Sequence, residues 1–225
     1  MGGVSFFVFL GLWQLERAAY KDVIEQKFEL RLKEDYRSLE AGAFLDDGVT
    51  DELLFRKLIV EGQYDNAHSF LLDNQLHRGR AGYHVLTPLQ LKDSDWIILV
   101  NRGWVGVGAS RDRLPDIAPP VDVGRAAGIV SLPELSVFKM GEVMLGNSWP
   151  QVIPFIDFDA LQQQYSPQLL PMVLWMAPEQ AGHYVRVWDP VWMKPEKSRA
   201  YATQWFAFAL LAGILFIVLN LRKVE

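Results

Sequence analysis

Residues 200–221 read AYATQWFAFALLAGILFIVLNL and contain no Asp, Glu, Lys, Arg or His. As an α-helix this stretch would be about 33 Å long, which is enough to cross a hydrocarbon core of about 30 Å. Arg222 and Lys223 follow at once, and basic residues are typical of the cytoplasmic flank of a span. We therefore predict a transmembrane helix over 200–221 and a cytoplasmic tail over 222–225.

A second, shorter apolar stretch opens the chain. Residues 1–15, MGGVSFFVFLGLWQL, carry no charged side chain but fall short of the roughly 20 residues that a full span needs. No basic residue precedes them and they run directly into Glu16 and Arg17, unlike a cleavable signal peptide. We interpret 1–15 as a first transmembrane helix that is truncated at its N-terminus. Apolar residues at three- and four-residue steps predict that the helix leaves the membrane and continues over 16–40.

The intervening residues 41–199 change to short segments that are rich in β-forming residues and bounded by turn residues. Eight of these segments predict strands: LLFRKLIVEGQY, SFLLDNQL, YHVLTPLQL, DWIILVNRGWV, AAGIVSL, QVIPFI, LLPMVLWMA and HYVRVWDPV. HRGRAG and KDSD are expected to be hairpin connections. Asp157 is the expected N-cap of a short helix that ends near Tyr165. The predicted fold is that of an α+β membrane protein, with two transmembrane helices flanking a largely antiparallel, β-rich extracytoplasmic domain.

Composition removes several kinds of chemistry. The chain has 225 residues, no cysteine and a formal net charge of -5. Without thiols there are no disulfides, thiolate zinc sites or iron–sulfur clusters, and an acidic chain is a poor ligand for nucleic acid. The glycines Gly106 and Gly108 lack the third glycine of a dinucleotide fingerprint. The histidines stand singly, at His68, His77, His84 and His183. We therefore expect neither a catalytic constellation nor a metal site built from sequence neighbours.

Aromatic residues gather next to the predicted spans: Trp13, Trp188, Trp192, Tyr201, Trp205 and Phe206. Such residues are typical of the membrane–water interface. They could equally line a partly apolar cleft for a flat hydrophobic ligand or a transmembrane partner. In that case Lys194, Lys197 and Arg199 would meet anionic groups, either lipid phosphates or the propionates of a porphyrin. The sequence leaves these alternatives open.

Four blocks of the sequence resemble the surfeit-locus-one family. They are GLWQLER (11–17) with Lys21, EGQY (61–64) with LLDNQLHRGRAGYHVLTPL (71–89), ILVNRGWV (98–105), and YVRVWDPVWMKPEKSRAYATQWFAFAL (184–210). The resemblance implies a membrane-anchored, chaperone-like assembly factor of haem–copper cytochrome c oxidase in the respiratory chain, not an enzyme. It implies help with haem a insertion into oxidase subunit I, or stabilisation of that subunit.

The same resemblance implies partners and a location. The partners are subunit I, the haem a biosynthesis or insertion machinery, and membrane lipids. The location is the bacterial inner membrane, as a multi-pass protein whose main domain is periplasmic. The alternative is an envelope scaffold or sensing domain, anchored in the membrane, that does not handle haem.

One position departs from the pattern of the family. Family members commonly have a histidine three residues before the Tyr of YAxQWF, and this chain has Ser198 there. A serine hydroxyl is a poor axial ligand for haem iron, so direct coordination of haem a is in doubt. Met193, Tyr201 and His183 are the nearest residues that could bind iron. The residues that match the motif are Tyr201, Gln204 and Trp205, and we predict that they face haem or the oxidase.

Overall fold

The computed structural model describes residues 2–39, 51–108, 111, 113–122, 124–132, 143–187 and 194–221. The predicted tail at 222–225 lies outside the described residues, as do Trp188, Trp192 and Met193. The chain divides into two compact units, one formed by residues 1–30 with 189–225 and the other by residues 31–188. The first unit is helical and the second is built around a β-sheet.

Helix α1 (Gly2–Leu32) is continuous through the apolar start of the chain and into its first charged residues. It ends at Leu32, short of the predicted end at residue 40, because the chain turns there and enters the short strand β1 (Arg37–Ser38). The pairing of β1 with a neighbouring strand outweighs the helical periodicity of residues 33–38.

Helix α3 (Pro195–Leu221) contains the apolar stretch 200–221. Within the described part of the chain it is the one helix that is long and apolar enough to cross a membrane, and little of it is buried. The apolar half of α1 ends at Glu16. Of the two spanning helices predicted, the structure therefore contains one candidate span, α3, and the first span stays a prediction.

The sheet contains the following strands besides β1: β2 (Lys57–Tyr64), β3 (Phe70–His77), β4 (Arg80–Leu91), β5 (Ile97–Gly106), β6 (Arg125–Ser131), β7 (Gln151–Ile153) and β8 (Leu169–Met176). Most neighbours are antiparallel; the parallel pairs are β1–β2, β3–β7 and β5–β8. The largely antiparallel β-rich domain is thus confirmed, with both predicted hairpins, β3–β4 and β4–β5.

Five strands close into a barrel. The order β2-β6-β8-β5-β4 returns to its start because the end of β4 also pairs with β2. In that pairing Gly62 lies opposite Leu91 and Tyr64 lies opposite Leu89. Closure leaves these five strands without a free edge along the seam, while β3 and β7 extend the sheet beyond β4.

The interior of the barrel is filled by alternate residues of all five strands. They include Leu58, Val60, Leu89, Leu91, Ile98, Val100, Ala126, Val130, Leu170, Met172 and Leu174, all of them buried. The intervening residues of β5 and β8 face a second cluster outside the barrel, where Leu99 and Val173 pack against Phe158 and Leu161. Because β5 and β8 are buried on both faces, they read as continuous apolar runs.

The helix predicted near Asp157 is present as α2 (Phe158–Gln164). Asp157 is its N-cap, and its carboxylate accepts a hydrogen bond from the backbone N–H of Ala160 at 3.4 Å. Tyr165 is its C-cap. The local capping signal was sufficient here because it requires only residues within one turn of the helix.

The segment HYVRVWDPV does not form the predicted strand within its described residues, 183–187. It makes a single bridge, in which Trp104 donates its backbone N–H to Val185 O at 2.7 Å and receives one from Val185 N at 3.2 Å. The predicted QVIPFI strand stops at Ile153, because the next residue, Pro154, has no N–H to donate.

We expect Gly62→Ala to destabilise the barrel. A Cβ at Gly62 would lie 2.0 Å from the backbone oxygen of Gln90, so the seam between β2 and β4 would have to open. The expected loss in the free energy of unfolding is about 1–3 kcal/mol, the usual cost of overpacking. Chemical denaturation followed by tryptophan fluorescence measures it. Gly124→Ala is the control, since nothing lies within 4 Å of a Cβ there; equal stability of the two variants would contradict the seam.

Candidate functional site

Helices α1 and α3 contact each other along their apolar lengths. In both, buried or half-buried positions recur at alternating steps of three and four residues, as in coiled coils. These positions are Val4, Phe7, Gly11, Gln14, Ala18 and Lys21 in α1, and Pro195, Ser198, Ala202, Trp205, Ala209 and Ala212 in α3. Phe7 contacts Trp205, whereas Lys21 contacts Ser198. The helices are therefore antiparallel.

Aromatic rings fill the apolar end of this helix pair. Phe7 stacks on Trp205, with ring centroids 5.9 Å apart and an angle of 18° between the ring planes. It also meets Phe208 at 5.9 Å. The ring of Phe206 covers Gly11, where an added Cβ would lie 2.6 Å from Phe206 Cε1. The glycine of the GLWQLER block is thus needed because a side chain at this position would displace the Phe206 ring.

Polar contacts join the helices at the other end. Lys21 Nζ donates a hydrogen bond to Ser198 Oγ at 3.2 Å. The next residue of each helix forms a second contact: Arg199 makes a salt bridge with Asp22 at 2.6 Å. Both pairs lie at the start of α3, before its apolar stretch. Half of the Arg199 side chain is exposed, so its ion pair contributes less than about 1 kcal/mol.

The predicted site residues are divided between two sides of α3. Ser198 is 3% exposed and faces Lys21, and Trp205 is half-buried against Phe7. Tyr201 is 55% exposed, and Gln204 is exposed as well. The folded helix pair therefore presents Tyr201 and Gln204 outward and turns Ser198 and Trp205 inward.

Ser198, at the position where the resemblance led us to expect a histidine, is not suited to coordinate haem iron. Ser198 has a weakly coordinating hydroxyl that already accepts a hydrogen bond from a lysine. Its side chain is covered by α1 rather than open to a planar ligand. His183 belongs to the other unit and is exposed. Over the residues that the structure describes, no group of three or more His, Asp or Glu could hold a metal ion.

Sequence reasoning singled out Lys21 as part of a block but did not foresee its partner. Asp22 was not identified at all. Each of the two contacts joins residues 177 positions apart. The opposite charges of Asp22 and Arg199 were visible in the sequence, but nothing in the spacing could have paired them before the helices were placed antiparallel.

The β-unit holds a separate group of polar residues near one end of the barrel. His84 Nδ1 lies 3.2 Å from Asn101 Nδ2, and its ring meets Trp175 edge-on at 5.6 Å between centroids. Burial lowers the pKa of His84 to about 4, because the charged imidazolium would lose its hydration. His84 is therefore neutral near pH 7, and its ring packs as an aromatic side chain.

Comparisons with known proteins point in one direction. A profile of the SURF1 family, the surfeit-locus-one family, matches residues 3–210. A SURF1-like protein of Dictyostelium discoideum is 32% identical over 111 residues, which are 44% of this chain and 40% of the relative. A SURF1-like protein of Caenorhabditis elegans is 34% identical over 122 residues, or 45% of this chain and 37% of the relative.

A further similar protein carries a functional name. The cytochrome oxidase assembly protein SHY1 of Saccharomyces cerevisiae is 24% identical over 102 residues, which are 45% of this chain and 25% of that protein. The aligned part of this chain thus spans less than half of the length of each of these curated relatives.

We expect Gly11→Val to loosen the helix pair, because the added side chain would occupy the space of the Phe206 ring. The chain lacks cysteine, so spin labels can be placed at Phe9→Cys and Leu210→Cys, both exposed positions. The distance distribution between the labels should broaden and move to longer distances. Gly3→Val is the control, since a Cβ there meets nothing within 4 Å. An unchanged distribution in Gly11→Val would contradict the packing.

We also expect His84 to make the protein less stable in mild acid. Its folded pKa of about 4 lies below the ordinary value of about 6.5, so the unfolded chain binds a proton between these values and the folded chain does not. The free energy of unfolding should therefore fall as the pH decreases from about 6.5 to about 4. Denaturation curves across this range should show a smaller fall for His84→Gln than for the wild type or for the exposed-site control His183→Gln. Equal falls in all three would rule out the burial effect.

Proposed function

The chain belongs to the SURF1 family, and on that premise we propose that it is a membrane-anchored assembly factor for cytochrome c oxidase rather than an enzyme. The main support is that the family match runs from residue 3 to residue 210, through both the helical unit and the barrel. The printed name of the yeast relative supports the link to cytochrome oxidase.

Two helices anchor the protein in this proposal. Helix α3 spans the membrane, and its exposed apolar residues meet lipid or a transmembrane partner. The apolar half of α1 packs along it and forms the second span, so that the protein is multi-pass. Arg222 and Lys223 then mark the cytoplasmic side. The barrel lies on the opposite side, which is the periplasm if the membrane is a bacterial inner membrane.

The proposed partner is oxidase subunit I, a hydrophobic membrane protein. The outer face of α3 supports such a contact, since Leu210, Leu211 and Ile214 are exposed and apolar. Gln204 lies two turns before Leu211 on the same side of α3, and Tyr201 lies about one turn before Gln204, toward the start of the helix. We propose that these two exposed residues, and not Ser198, meet the oxidase or the haem a being delivered to it. The machinery that makes or inserts haem a would then be a second partner.

The buried Ser198 favours one alternative within this proposal. Its contact with Lys21 uses the family's histidine position to hold two helices together. A protein of this kind can support subunit I as a scaffold without coordinating iron at that position. An envelope scaffold or sensing domain that is unrelated to haem handling has the same supporting observation. The amount of assembled oxidase distinguishes the oxidase scaffold from the envelope protein, because loss of the envelope protein would not change it.

We expect loss of the gene to remove the oxidase. In a strain that lacks this gene and any paralogue, the reduced-minus-oxidised spectrum of the membranes should lose the a-type haem band and keep the b- and c-type bands. The reason is that haem a without an assembled subunit I has no stable site. The wild-type gene should restore the band, whereas a Gly11→Val version, whose helix pair is loosened, should restore less of it than Gly3→Val. An unchanged a-type band in the deletion strain would refute the assembly role and leave the envelope scaffold.

A further inference from the structure

The interior of the barrel becomes polar at one end. On β5 the inward positions run from Ile98 through Val100 to Arg102, so an arginine follows two fully buried aliphatic residues. On β2 the inward run ends at Tyr64, and on β8 it ends at Met176. One end of an otherwise apolar barrel is thus closed by a charge, a phenol and a thioether.

Arg102 is buried there without an opposite charge. It is only 3% exposed. One terminal nitrogen donates to Thr87 Oγ1 at 3.3 Å, the other donates to the backbone oxygen of Ala118 at 2.5 Å, and the guanidinium lies 5.2 Å from the ring of Tyr184. These partners are all neutral, and no carboxylate of the described residues forms a salt bridge with it. A buried cation without an anion is costly.

A second arginine lies beside the first. Arg186 donates from Nη1 to the sulfur of Met176 at 2.8 Å and from Nη2 to the backbone oxygen of Gln180. Its Nε is buried and has no hydrogen-bond partner, and the hydroxyl of Tyr64 is in the same situation. The charge of Arg186 is close enough to lower the pKa of Arg102 further, after burial itself. Two cations and two unpartnered donors therefore lie close together.

An open cleft leads to this cluster. It is lined by Arg102, Gln180, His183, Tyr184 and Asp122, among others. A neighbouring open cleft is lined by Arg186, and Met176 borders both. Arg102 and Arg186 are thus reached from two adjoining clefts.

We infer that the end of the barrel between Arg102 and Arg186 is a binding site for an oxyanion, the carboxylate or phosphate group of a ligand. Guanidinium groups match the planar, paired oxygens of such groups and bind them through charge-assisted hydrogen bonds. An oxyanion would neutralise the buried Arg102 and accept from the free donors. Two carboxylates oppose an anion here. Asp122 lines the cleft, and its Oδ1 accepts from the backbone N–H of Gly124 at 3.2 Å. Burial lowers the pKa of Arg186, and the nearby Glu179 carboxylate offsets part of that lowering. The site is independent of the oxidase proposal, since it needs only the barrel.

Binding of simple anions by the full chain in a non-ionic detergent tests this inference. The probes are inorganic phosphate and succinate, titrated by calorimetry at constant ionic strength with chloride as the background anion. We expect at least one probe to bind the wild type and to bind Arg186→Gln about tenfold more weakly or worse, because a charge-assisted hydrogen bond is lost. Arg80→Gln, at an exposed arginine of β4, should bind like the wild type.

The relative affinity of the two probes identifies the chemical class of the anion, and two results would overturn the proposal. Tighter binding of phosphate indicates a phosphate-bearing ligand, and tighter binding of succinate indicates a carboxylate-bearing one. Arg186→Lys keeps the charge and removes the paired N–H donors of the guanidinium. It replaces Arg186→Gln in the test if circular dichroism shows that Arg186→Gln does not fold. Arg186→Lys should also bind the probes more weakly than the wild type. No binding of either probe to the wild type would overturn the site, as would equal binding by the wild type and the Arg186 variants.

Discussion

The pairing of β4 with β2 is the constraint on which the β-unit depends. It requires Gly62 to pass within contact of the Gln90 backbone, and it turns an open sheet into a closed barrel. Only after closure do the inward residues of five strands share one interior, so that they exclude water together. The same closure places Tyr64 and Arg102 at one end of that interior, where the apolar filling stops.

The helical unit follows a different rule, because most of its surface faces outward. Its stability cannot rest on an apolar core, and lipid would favour exposed leucines as much as buried ones. What joins α1 to α3 is specific fit: the Phe206 ring over Gly11, Phe7 on Trp205, and two polar contacts beside the apolar lengths of the helices. Ser198 is one of these contacts. Ser198, which stands where the resemblance led us to expect a histidine, thus has a structural role in this chain.

Much of the β-unit could be predicted from short stretches of sequence. Segments such as YHVLTPLQL and LLPMVLWMA became strands, and Asp157 became an N-cap, because these signals depend on neighbours within a few residues. The eighth predicted strand, HYVRVWDPV, is also rich in β-forming residues, but among its described residues, 183–187, only Val185 pairs with a strand. A strand needs a free neighbour as well as suitable residues. The helix expected to run to residue 40 stopped at Leu32 for the related reason that β1 found a partner in β2.

The candidate site residues show the same distinction between features of consecutive residues and features decided by packing. Tyr201, Gln204 and Trp205 could be selected from a motif, and the apolar stretch 200–221 from its length and lack of charge, since both are properties of consecutive residues. Which side each residue faces was decided by the packing of α3 on α1, which buried Ser198 and exposed Tyr201. The arginines Arg102 and Arg186 are 84 positions apart in the chain. They became neighbours because β8 pairs with β5 and the segment after β8 bridges back to Trp104 through Val185. Such pairings are properties of the folded chain and not of its order of residues.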